Sequence, residues 1–365
     1  MWAYWLLFLV PVGIAFSPIK GDKNVKYMIW AIVGLLTIYI VGFRDNVGGD
    51  WGNYLQYLQW IRLHSDDLPA VLALGYANGS AYMLLNWVAL QLGLGIYFIN
   101  ALCAVILVVG LTKYCRQQPI PWLALAVAMP YLVAVVAMAY TRQAVALGFL
   151  FWGLSILRAG NERKFFFLIM LGSLFHLSAI INLLYLVLTR EKILRRYYLF
   201  FGLFIVGLLF LFVRLDVLQG FQSVFLYTAS IHSEGGAIRA FMNVFPVTVS
   251  LFFWSRIKRI SPDYKIIKWM AMAALLSLPL LSLSTTLVDR FALYLIPLQV
   301  ALWPRLIAVQ KTMLMRSIVA STILAYYGSV LFVWFNFAVN VRNWLPYQLW
   351  PLSNDPIDRL WPPIF

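Results

Sequence analysis

Residues 122–138 read WLALAVAMPYLVAVVAM, and residues 143–157 read QAVALGFLFWGLSIL. Neither run contains a charged side chain. Each approaches the length of about 20 residues that a helix needs to cross a bilayer. The residues between them, AYTR at 139–142, leave no room for a soluble connection. The pair therefore predicts two membrane helices joined by a tight turn, with Arg142 at the edge of the bilayer.

Similar apolar runs occur along the whole chain. They lie at 2–16, 27–43, 96–112, 197–213, 241–254, 266–282, 291–303 and 317–335. Of the 365 residues, 63% are hydrophobic and 11% are charged, whereas a soluble domain has roughly 25% charged residues. The composition predicts an all-α polytopic membrane protein with about 10 to 13 transmembrane or half-membrane helices. These are expected to form one integral membrane domain over 1–365.

Two further stretches, 80–93 and 165–188, allow more than one arrangement. The first is either a short span or a helix in the membrane interface. The second has basic segments on both sides, so a hairpin of two half-helices with His176 at its tip competes with a straight span. The first apolar run, 2–16, is expected to be a retained helix rather than a signal peptide, because no basic region precedes it.

The charged residues predict the orientation of these helices. Basic residues collect in cytoplasmic loops, and six segments are rich in them: 17–26, 113–119, 158–164, 189–196, 255–268 and 304–316. Placing these six inside gives 20 cations and 4 acidic residues inside, against 8 cations and 9 acidic residues outside. Both termini are then predicted to be extracytoplasmic, together with the segment 214–240.

The outer cations are all of one type. All ten Lys fall in the cytoplasmic segments, whereas the eight outer cations are Arg44, Arg62, Arg142, Arg214, Arg239, Arg290, Arg342 and Arg359. A planar guanidinium can bind a phosphate or a carboxylate through two parallel hydrogen bonds. Because the cations are scattered between apolar runs and not clustered on one soluble face, nucleic-acid binding is not expected.

Groups of polar residues on the outer face are candidates for a functional site. The first is 44–54, RDNVGGDWGNY, where three glycines favour a tight loop. The second is Thr141–Gln143, and the third is His176 within an apolar stretch. Each also has a structural explanation: an ion pair in a turn, an Arg that reaches the lipid headgroups, or a His that packs in a helix.

A fourth group combines Asp289–Arg290 with the segment 214–240, which contains His232, Glu234 and Arg239. Together the four groups suit a lipid-linked phosphate or diphosphate substrate. Arg would hold the diphosphate and stabilise the charge on it as it leaves. A carboxylate or a His would accept the proton of an attacking hydroxyl. No metal-ligand spacing is present in the sequence, so a metal-independent site without a cofactor is the simplest expectation.

In order and spacing these groups resemble the EpsG-like branch of the Wzy-type polysaccharide polymerases. The matching residues are Arg44, Gly48–Asp50, Tyr54, Arg142–Gln143, Ala146, Phe175–Ala179, Arg290, Tyr294 and Trp344–Tyr347. The resemblance spans nearly the whole chain. It implies a GT-C-like glycosyltransferase that joins undecaprenyl-diphosphate-linked oligosaccharide repeat units on the periplasmic face of a bacterial inner membrane. The product would be an exopolysaccharide, a capsule or an O-antigen.

The resemblance implies functional roles for Arg44, Asp50, Arg142, His176 and Arg290. With the residue chemistry added, the candidates for catalysis are His176, Glu234 and Asp50, and which of them is the base stays open. The candidates for binding the diphosphate or the glycan are Arg44, Arg142, Arg239, Arg290, Gln143, Tyr54 and Tyr294. Roles for Glu234 and Arg239 rest on their chemistry alone.

Other functions remain open from the sequence. A ligase or single-sugar transferase could use the same donor chemistry, and a flippase or transporter could bind the same lipid-linked sugar. A transporter usually has an internal repeat with charged or broken segments at the midplane of both halves, and no such repeat is present in the sequence. A polytopic acyltransferase is a further alternative. The resemblance implies a flippase and a chain-length regulator as partners, beside the lipid bilayer and the lipid-linked oligosaccharide.

Overall fold

The structure is a computed structural model that describes residues 1–17, 22–189 and 235–352. In these ranges the chain forms helices and turns, apart from two short strands, β1 (Arg44–Asp45) and β2 (Gln348–Leu349). In chain order the helices are α1 (Trp2–Phe16), α2 (Lys23–Gly42), α3 (Trp51–Leu63), α4 (Leu68–Asn78), α5 (Ser80–Gln91), α6 (Ile96–Cys115), α7 (Pro121–Ala128), α8 (Thr141–Leu157), α9 (Glu162–Phe175), α10 (Leu184–Thr189), α11 (Gly235–Leu251), α12 (Trp254–Ile260), α13 (Tyr264–Leu280), α14 (Thr285–Ala292), α15 (Ile296–Ala308) and α16 (Met313–Phe337). Helix α7 continues as a π-helix over Met129–Ala137, and 3-10 turns occupy Leu177–Leu183, Leu293–Leu295 and Val341–Asn343.

Four helices of the described residues are long and apolar enough to cross a membrane. They are α2, α6, α16 and the continuous helix Thr285–Ala308 that α14 and α15 form. Helices α11 and α12, bent by 95° at their junction, make a fifth if the pair is one span. Shorter apolar helices add to these at Trp2–Phe16, Pro121–Ala137, Thr141–Leu157 and Leu177–Thr189. The prediction of an all-α polytopic membrane protein is confirmed, while the apolar run 197–213 lies outside the described residues.

The structure shows the helices of the two stretches 80–93 and 165–188. Helix α5 has 12 residues, which is too short to cross a bilayer. Helix α9 ends at Phe175, His176 has an extended backbone, and a 3-10 turn follows. The helix therefore breaks at the position that the hairpin alternative requires, but the hairpin itself stays a prediction.

The chain forms two compact units. Unit 1 comprises the described residues of Met1–Ile180 and Trp303–Phe365, and unit 2 comprises those of Ile181–Leu302. That the whole chain is one domain stays a prediction.

In unit 1 the closest helix contact lies between α6 and α8. A Cβ atom on Gly110 would collide with the carbonyl oxygen of Gly148, and a Cβ atom on Gly148 would lie 2.6 Å from the Cα of Leu107. Small residues let membrane helices approach until their backbones touch. The π-helix at Met129–Ala137, which begins where Pro130 has no N–H to donate, is buried throughout. These elements form a closely packed part of unit 1.

The C-terminal segment of unit 1 returns to the loop that follows α2. Strand β2 pairs antiparallel with β1, with Arg44 opposite Leu349. The Trp350 N–H donates to the Phe43 carbonyl at 2.8 Å. The Tyr347 hydroxyl donates to the carbonyl of Ile40 at 2.7 Å. Residues 347–350 therefore hold the loop 43–50 against the end of α2.

Unit 2 is built around a close contact between α11 and α14. A Cβ atom on Gly236 would collide with the carbonyl oxygen of Thr285. Helix α14 begins at Thr285 because the Ser284 hydroxyl accepts from the Leu287 N–H at 3.2 Å, which caps the helix. Asp289 and Arg290 therefore lie inside a helix, one turn past its beginning.

Candidate functional site

The loop after α2 has a shape that its glycines make possible. Gly48 has φ +112°, a backbone conformation that side chains rarely adopt. A Cβ atom at this position would also collide with the carbonyl oxygen of Met138. The Gly48 N–H donates to the carbonyl of Asn343 at 2.7 Å. The loop is thus held between the end of the π-helix and residues 343–350, and Arg44 within it contacts Thr141, the first residue of α8.

Arg44 is almost fully buried, with 1% of its surface exposed, and it connects four elements. Its Nε donates to the Val47 carbonyl at 3.1 Å, and its Nη1 donates to the Val41 carbonyl at 2.5 Å. Its Nη2 donates to Thr141 Oγ1 at 2.8 Å and to Asn100 Oδ1 at 3.4 Å. Burial lowers the pKa of Arg44, but arginine has so high a pKa that the guanidinium stays charged.

A small cavity of about 10 Å³ lies next to Arg44. Its lining residues are Val41, Arg44, Asn100, Cys103, Ala104, Leu107, Ala137, Thr141 and Ala144. A volume near 10 Å³ holds at most one water molecule, so a diphosphate does not fit there. In this structure the Arg44 donors organise the protein. Its sequence-based role as a substrate ligand stays a prediction.

Arg142 lies one residue beyond Thr141, at the beginning of α8, and is half-buried. Its guanidinium carbon lies 5.5 Å from the ring centroid of Tyr57, in a cation–π arrangement. Its backbone forms a hydrogen bond with Tyr54. Arg142 is thus held through its main chain and over an aromatic ring, at the rim of unit 1.

Tyr54 is the centre of this arrangement. Burial raises the pKa of its hydroxyl to about 12, and the negative charge of Asp50 adds to the shift. The charges of Arg142 and Arg44 oppose it. At neutral pH the hydroxyl therefore stays protonated. The structure brings together four predicted site residues, Arg44, Asp50, Tyr54 and Arg142, and adds Tyr57.

Asp50 itself is half-buried and stands directly before α3. The Asn53 side-chain amide donates to its Oδ1 at 3.5 Å. This contact is compatible with both sequence-based roles, as an organiser of the loop and as a proton acceptor, and both stay predictions.

Gln143 and His176 complete the predicted residues of unit 1. Gln143 is 4% exposed and lies in the first turn of α8. His176 is half-buried at the break after α9, and its Nδ1 lies 2.6 Å from Ser178 Oγ. A histidine whose Nδ1 is fixed in this way has a defined ring orientation. Its proposed catalytic role stays a prediction.

In unit 2 the structure pairs Arg239 with Asp289. Arg239 Nη1 lies 2.6 Å from Asp289 Oδ2, and both side chains are largely buried. Arg290, the next residue, is exposed, whereas Tyr294 is 2% exposed. Arg239 is therefore neutralised by a carboxylate, while Arg290 presents its charge at a surface. Glu234 and His232 lie outside the described residues.

A model of the EpsG family matches residues 27–349. The chain belongs to the EpsG family. The match begins within α2 and ends in β2, so it includes every candidate residue named above. Comparison with curated proteins and with solved structures finds no match for the chain.

Membership in the EpsG family assigns the protein to polysaccharide synthesis, as a membrane-embedded polymerase of the glycosyltransferase type. The resemblance drawn from the sequence is thus confirmed at the level of the family. Among the described residues, no group of three or more His, Cys, Asp and Glu side chains gathers in a way that could hold a metal ion.

Sequence reasoning missed Asn100 and Tyr57 of this EpsG-family site, and it gave Asp45, within the group 44–54, no role of its own. Asp45 is 1% exposed and its Oδ1 accepts from the Tyr97 hydroxyl at 2.9 Å, while its Oδ2 has no hydrogen-bond partner among the described residues. Asn100 faces Arg44 from within an apolar helix. Tyr57 lies under Arg142. Of these three residues, only Asn100 stands out in the sequence, as a polar residue inside the apolar run 96–112. Such a residue indicates a buried partner, because polar groups in membrane helices are usually paired.

Proposed function

We propose that the protein polymerises lipid-linked oligosaccharides at the extracytoplasmic face of a bacterial inner membrane. The donor is a growing glycan attached to undecaprenyl diphosphate, and the acceptor is a hydroxyl of the next lipid-linked repeat unit. This specifies the carrier and the membrane face for the polymerase activity that family membership assigns. In the proposal the helices form a GT-C-like frame around an arginine-based, metal-independent site.

In the reaction the acceptor oxygen attacks the anomeric carbon of the donor sugar and forms the new glycosidic bond. The bond between that carbon and the diphosphate oxygen breaks, and the electron pair leaves with undecaprenyl diphosphate. The hydroxyl proton moves to a base of the protein. Arginine stabilises the charge that develops on the leaving diphosphate. In the proposal Arg142 has this role, and its half-buried position over the Tyr57 ring supports it.

The observation that carries the proposal is the grouping of Arg142, Tyr54 and Asp50 within a chain whose family polymerises polysaccharide. A cation at the beginning of α8 lies near a neutral hydroxyl and a carboxylate at the beginning of α3. They are the three kinds of group that recognition of a diphosphate and activation of a hydroxyl require. Positive-inside topology supports the assignment of this end to the outer face.

Reconstitution of the purified protein into proteoliposomes tests the proposal. The substrate is the host's own undecaprenyl-diphosphate-linked repeat unit, and a gel separates the products by the number of units joined. The wild type is expected to form a ladder of longer chains, and Arg142→Ala is expected to reduce its formation by about 10²-fold. Arg116→Ala is the matched control, because Arg116 also lies over a tyrosine ring, that of Tyr27 at 4.4 Å. Transfer of the substrate across the bilayer without any ladder would instead establish a flippase.

A further inference from the structure

Helix α3 has one side that packs in the protein core and an exposed side that is mainly polar. Its core side chains are Trp51, Tyr54, Leu58 and Ile61. Its exposed residues are Gly52, Asn53, Gln56, Gln59, Arg62 and Leu63. Helix α2, by contrast, exposes aliphatic side chains such as Ile32 and Leu35. Because a lipid-facing surface is predominantly aliphatic, the outer side of α3 contacts water or a polar ligand.

Two aromatic rings lie between these sides of α3. Tyr57 and Trp60 are half-buried and stand one helical turn apart. Asn53 and Gln56 precede them and His64 follows, at spacings of three or four residues. Such spacings place side chains on one face of a helix. The face therefore combines two partly exposed rings with two exposed amides.

Both rings are fixed before any ligand binds. The Arg142 guanidinium lies over Tyr57 at 5.5 Å. The His64 ring stacks on Trp60, with centroids 4.1 Å apart and planes 14° from parallel. His64 Nδ1 also forms a hydrogen bond with the Trp60 carbonyl, at 2.9 Å. Binding to such rings loses little side-chain entropy, which favours affinity.

The far end of the helix is anchored as well. The indole N–H of Trp87 donates to the Ser65 carbonyl at 2.8 Å, and the Gln91 amide donates to the same oxygen at 3.3 Å. These two contacts join the segment after α3 to α5. The face therefore lies on a helix whose following segment is anchored to α5, and not on a loop.

We propose that Asn53, Gln56, Tyr57 and Trp60 form a saccharide subsite. It would bind the oligosaccharide of the lipid-linked substrate next to the diphosphate held at Arg142, and it rests on the proposed function. Arg142 covers one face of Tyr57 and His64 covers one face of Trp60. The C–H face of a sugar ring would therefore pack against the part of each ring that stays exposed, and its hydroxyl groups would exchange hydrogen bonds with the side-chain amides. The position of Arg142 over Tyr57 sets the direction in which the substrate lies along α3. The diphosphate lies at the Tyr57 end. The sugars extend toward Trp60, about 4.5 Å further along the helix axis.

Calorimetric titration of the purified full-length protein tests the subsite. The probe is a set of oligosaccharide fragments from partial hydrolysis of the host's own polysaccharide. Trp60→Ala and Gln56→Ala are each expected to weaken fragment binding, Trp60→Ala by about tenfold or more. Binding of undecaprenyl diphosphate without a glycan should change by less than about twofold. Tyr27→Ala is the matched control, because Tyr27 is an exposed aromatic residue under an arginine and lies on α2, not on α3.

The outcomes separate this subsite from the alternatives. Wild-type fragment affinity in both Trp60→Ala and Gln56→Ala, or no fragment binding by the wild type, overturns the subsite. An equal loss of fragment affinity in Trp60→Ala and Tyr27→Ala also overturns the subsite, since that pattern indicates that the aromatic rings anchor the protein in the membrane interface. If Trp60→Ala does not fold, Trp60→Phe and Gln56→Ala decide: the ring is expected to preserve binding and the missing amide to weaken it. The proposed function fails separately, if the wild type forms no ladder of products.

Discussion

Arg44 Nη2 donates to Thr141 Oγ1 at 2.8 Å, across 97 positions of sequence. The bond joins the loop after α2 to the first residue of α8. Arg142, the proposed diphosphate ligand, is the next residue. The buried guanidinium therefore fixes the backbone from which Arg142 projects.

Replacement of Arg44 separates this structural role from a direct one. Arg44→Lys leaves several of its four acceptors without a donor, and a hydrogen bond to a charged group contributes about 1.5–3 kcal/mol. We expect a clear fall in thermal stability in detergent, with polymer output falling in proportion to the folded protein. Thr141→Val should have a smaller effect and Thr141→Ser almost none. Normal stability of Arg44→Lys with no polymer would instead assign Arg44 directly to the substrate.

The α6–α8 contact gives a second test of the frame. In Gly148→Ala the new methyl group meets the backbone of α6, 2.6 Å from Leu107 Cα. Overpacking of this kind costs typically 1–3 kcal/mol, so about that loss of stability is expected. Gly13→Ala is the matched control, because no atom lies within 4 Å of a Cβ atom there and the helix gains slightly. Equal melting temperatures for Gly148→Ala and wild type would contradict the close packing.

Much of the helical frame follows from the sequence because membrane spans are marked by length and hydropathy alone. The apolar runs 27–43 and 317–335 became α2 and α16. The break at His176 belongs to one of the two alternatives that the basic segments on both sides of 165–188 left open. The return of Gln348–Leu349 to pair with Arg44–Asp45 could not be predicted, since two-residue strands carry no periodic signal. Such a pairing depends on tertiary contacts.

The sequence predicts which residue types form the candidate site, but not which side chains each of them contacts. From the sequence alone, Arg44 and Arg142 are both predicted to lie on the outer face, and both are candidates to bind the diphosphate. The structure distinguishes them, because Arg44 is buried with its donors in use and Arg142 is half-buried at the rim. Arg239 was grouped with them, yet it is paired with Asp289. Burial and pairing arise from packing between distant segments, which one sequence does not encode in any local pattern.

The proposed diphosphate ligands, Arg142 and Arg290, should not tolerate lysine. Lysine keeps the charge but cannot form the two parallel hydrogen bonds of a guanidinium. Arg142→Lys and Arg290→Lys are each expected to reduce polymer in a complementation assay by at least about tenfold, without loss of folded protein. Arg116→Lys, which also changes an arginine over a tyrosine ring, should remain active. If both variants make near-normal polymer, these arginines contact lipid headgroups and not the substrate.

Membrane topology can be tested with single cysteines. The two native cysteines, Cys103 and Cys115, are buried, so they should react little with an impermeant reagent. Ser233→Cys and Asn354→Cys lie outside the described residues, in segments predicted to be extracytoplasmic. Both should be labelled in intact cells, whereas Lys164→Cys, in a cytoplasmic basic segment, should be labelled only after lysis. Protection of either of the first two would overturn the positive-inside assignment.

The proton acceptor is the last role to be assigned, and three residues compete for it. An attacking hydroxyl needs a base, and a positioned base contributes about 10²–10⁴-fold to the rate. We favour Glu234 or His176 as the base and Asp50 as an organiser of its loop. For His176 the geometry sets a condition. Its Nδ1 lies 2.6 Å from Ser178 Oγ, so Nε2 can accept a proton only if Nδ1–H donates to that hydroxyl.

Turnover must therefore be measured separately from donor binding, on purified Glu234→Gln, His176→Ala and Asp50→Asn. A base variant should bind the undecaprenyl-diphosphate donor normally and lose turnover by about 10²-fold or more. If His176 is the base, Ser178→Ala should lower turnover by a smaller factor, because the ring loses its orientation. Glu162→Gln, at the beginning of α9 on the predicted cytoplasmic side, is the matched control and should match wild type. Should all three variants turn over substrate within a few-fold of the parent, none of them is the base, and the proton leaves by a route that does not involve these residues.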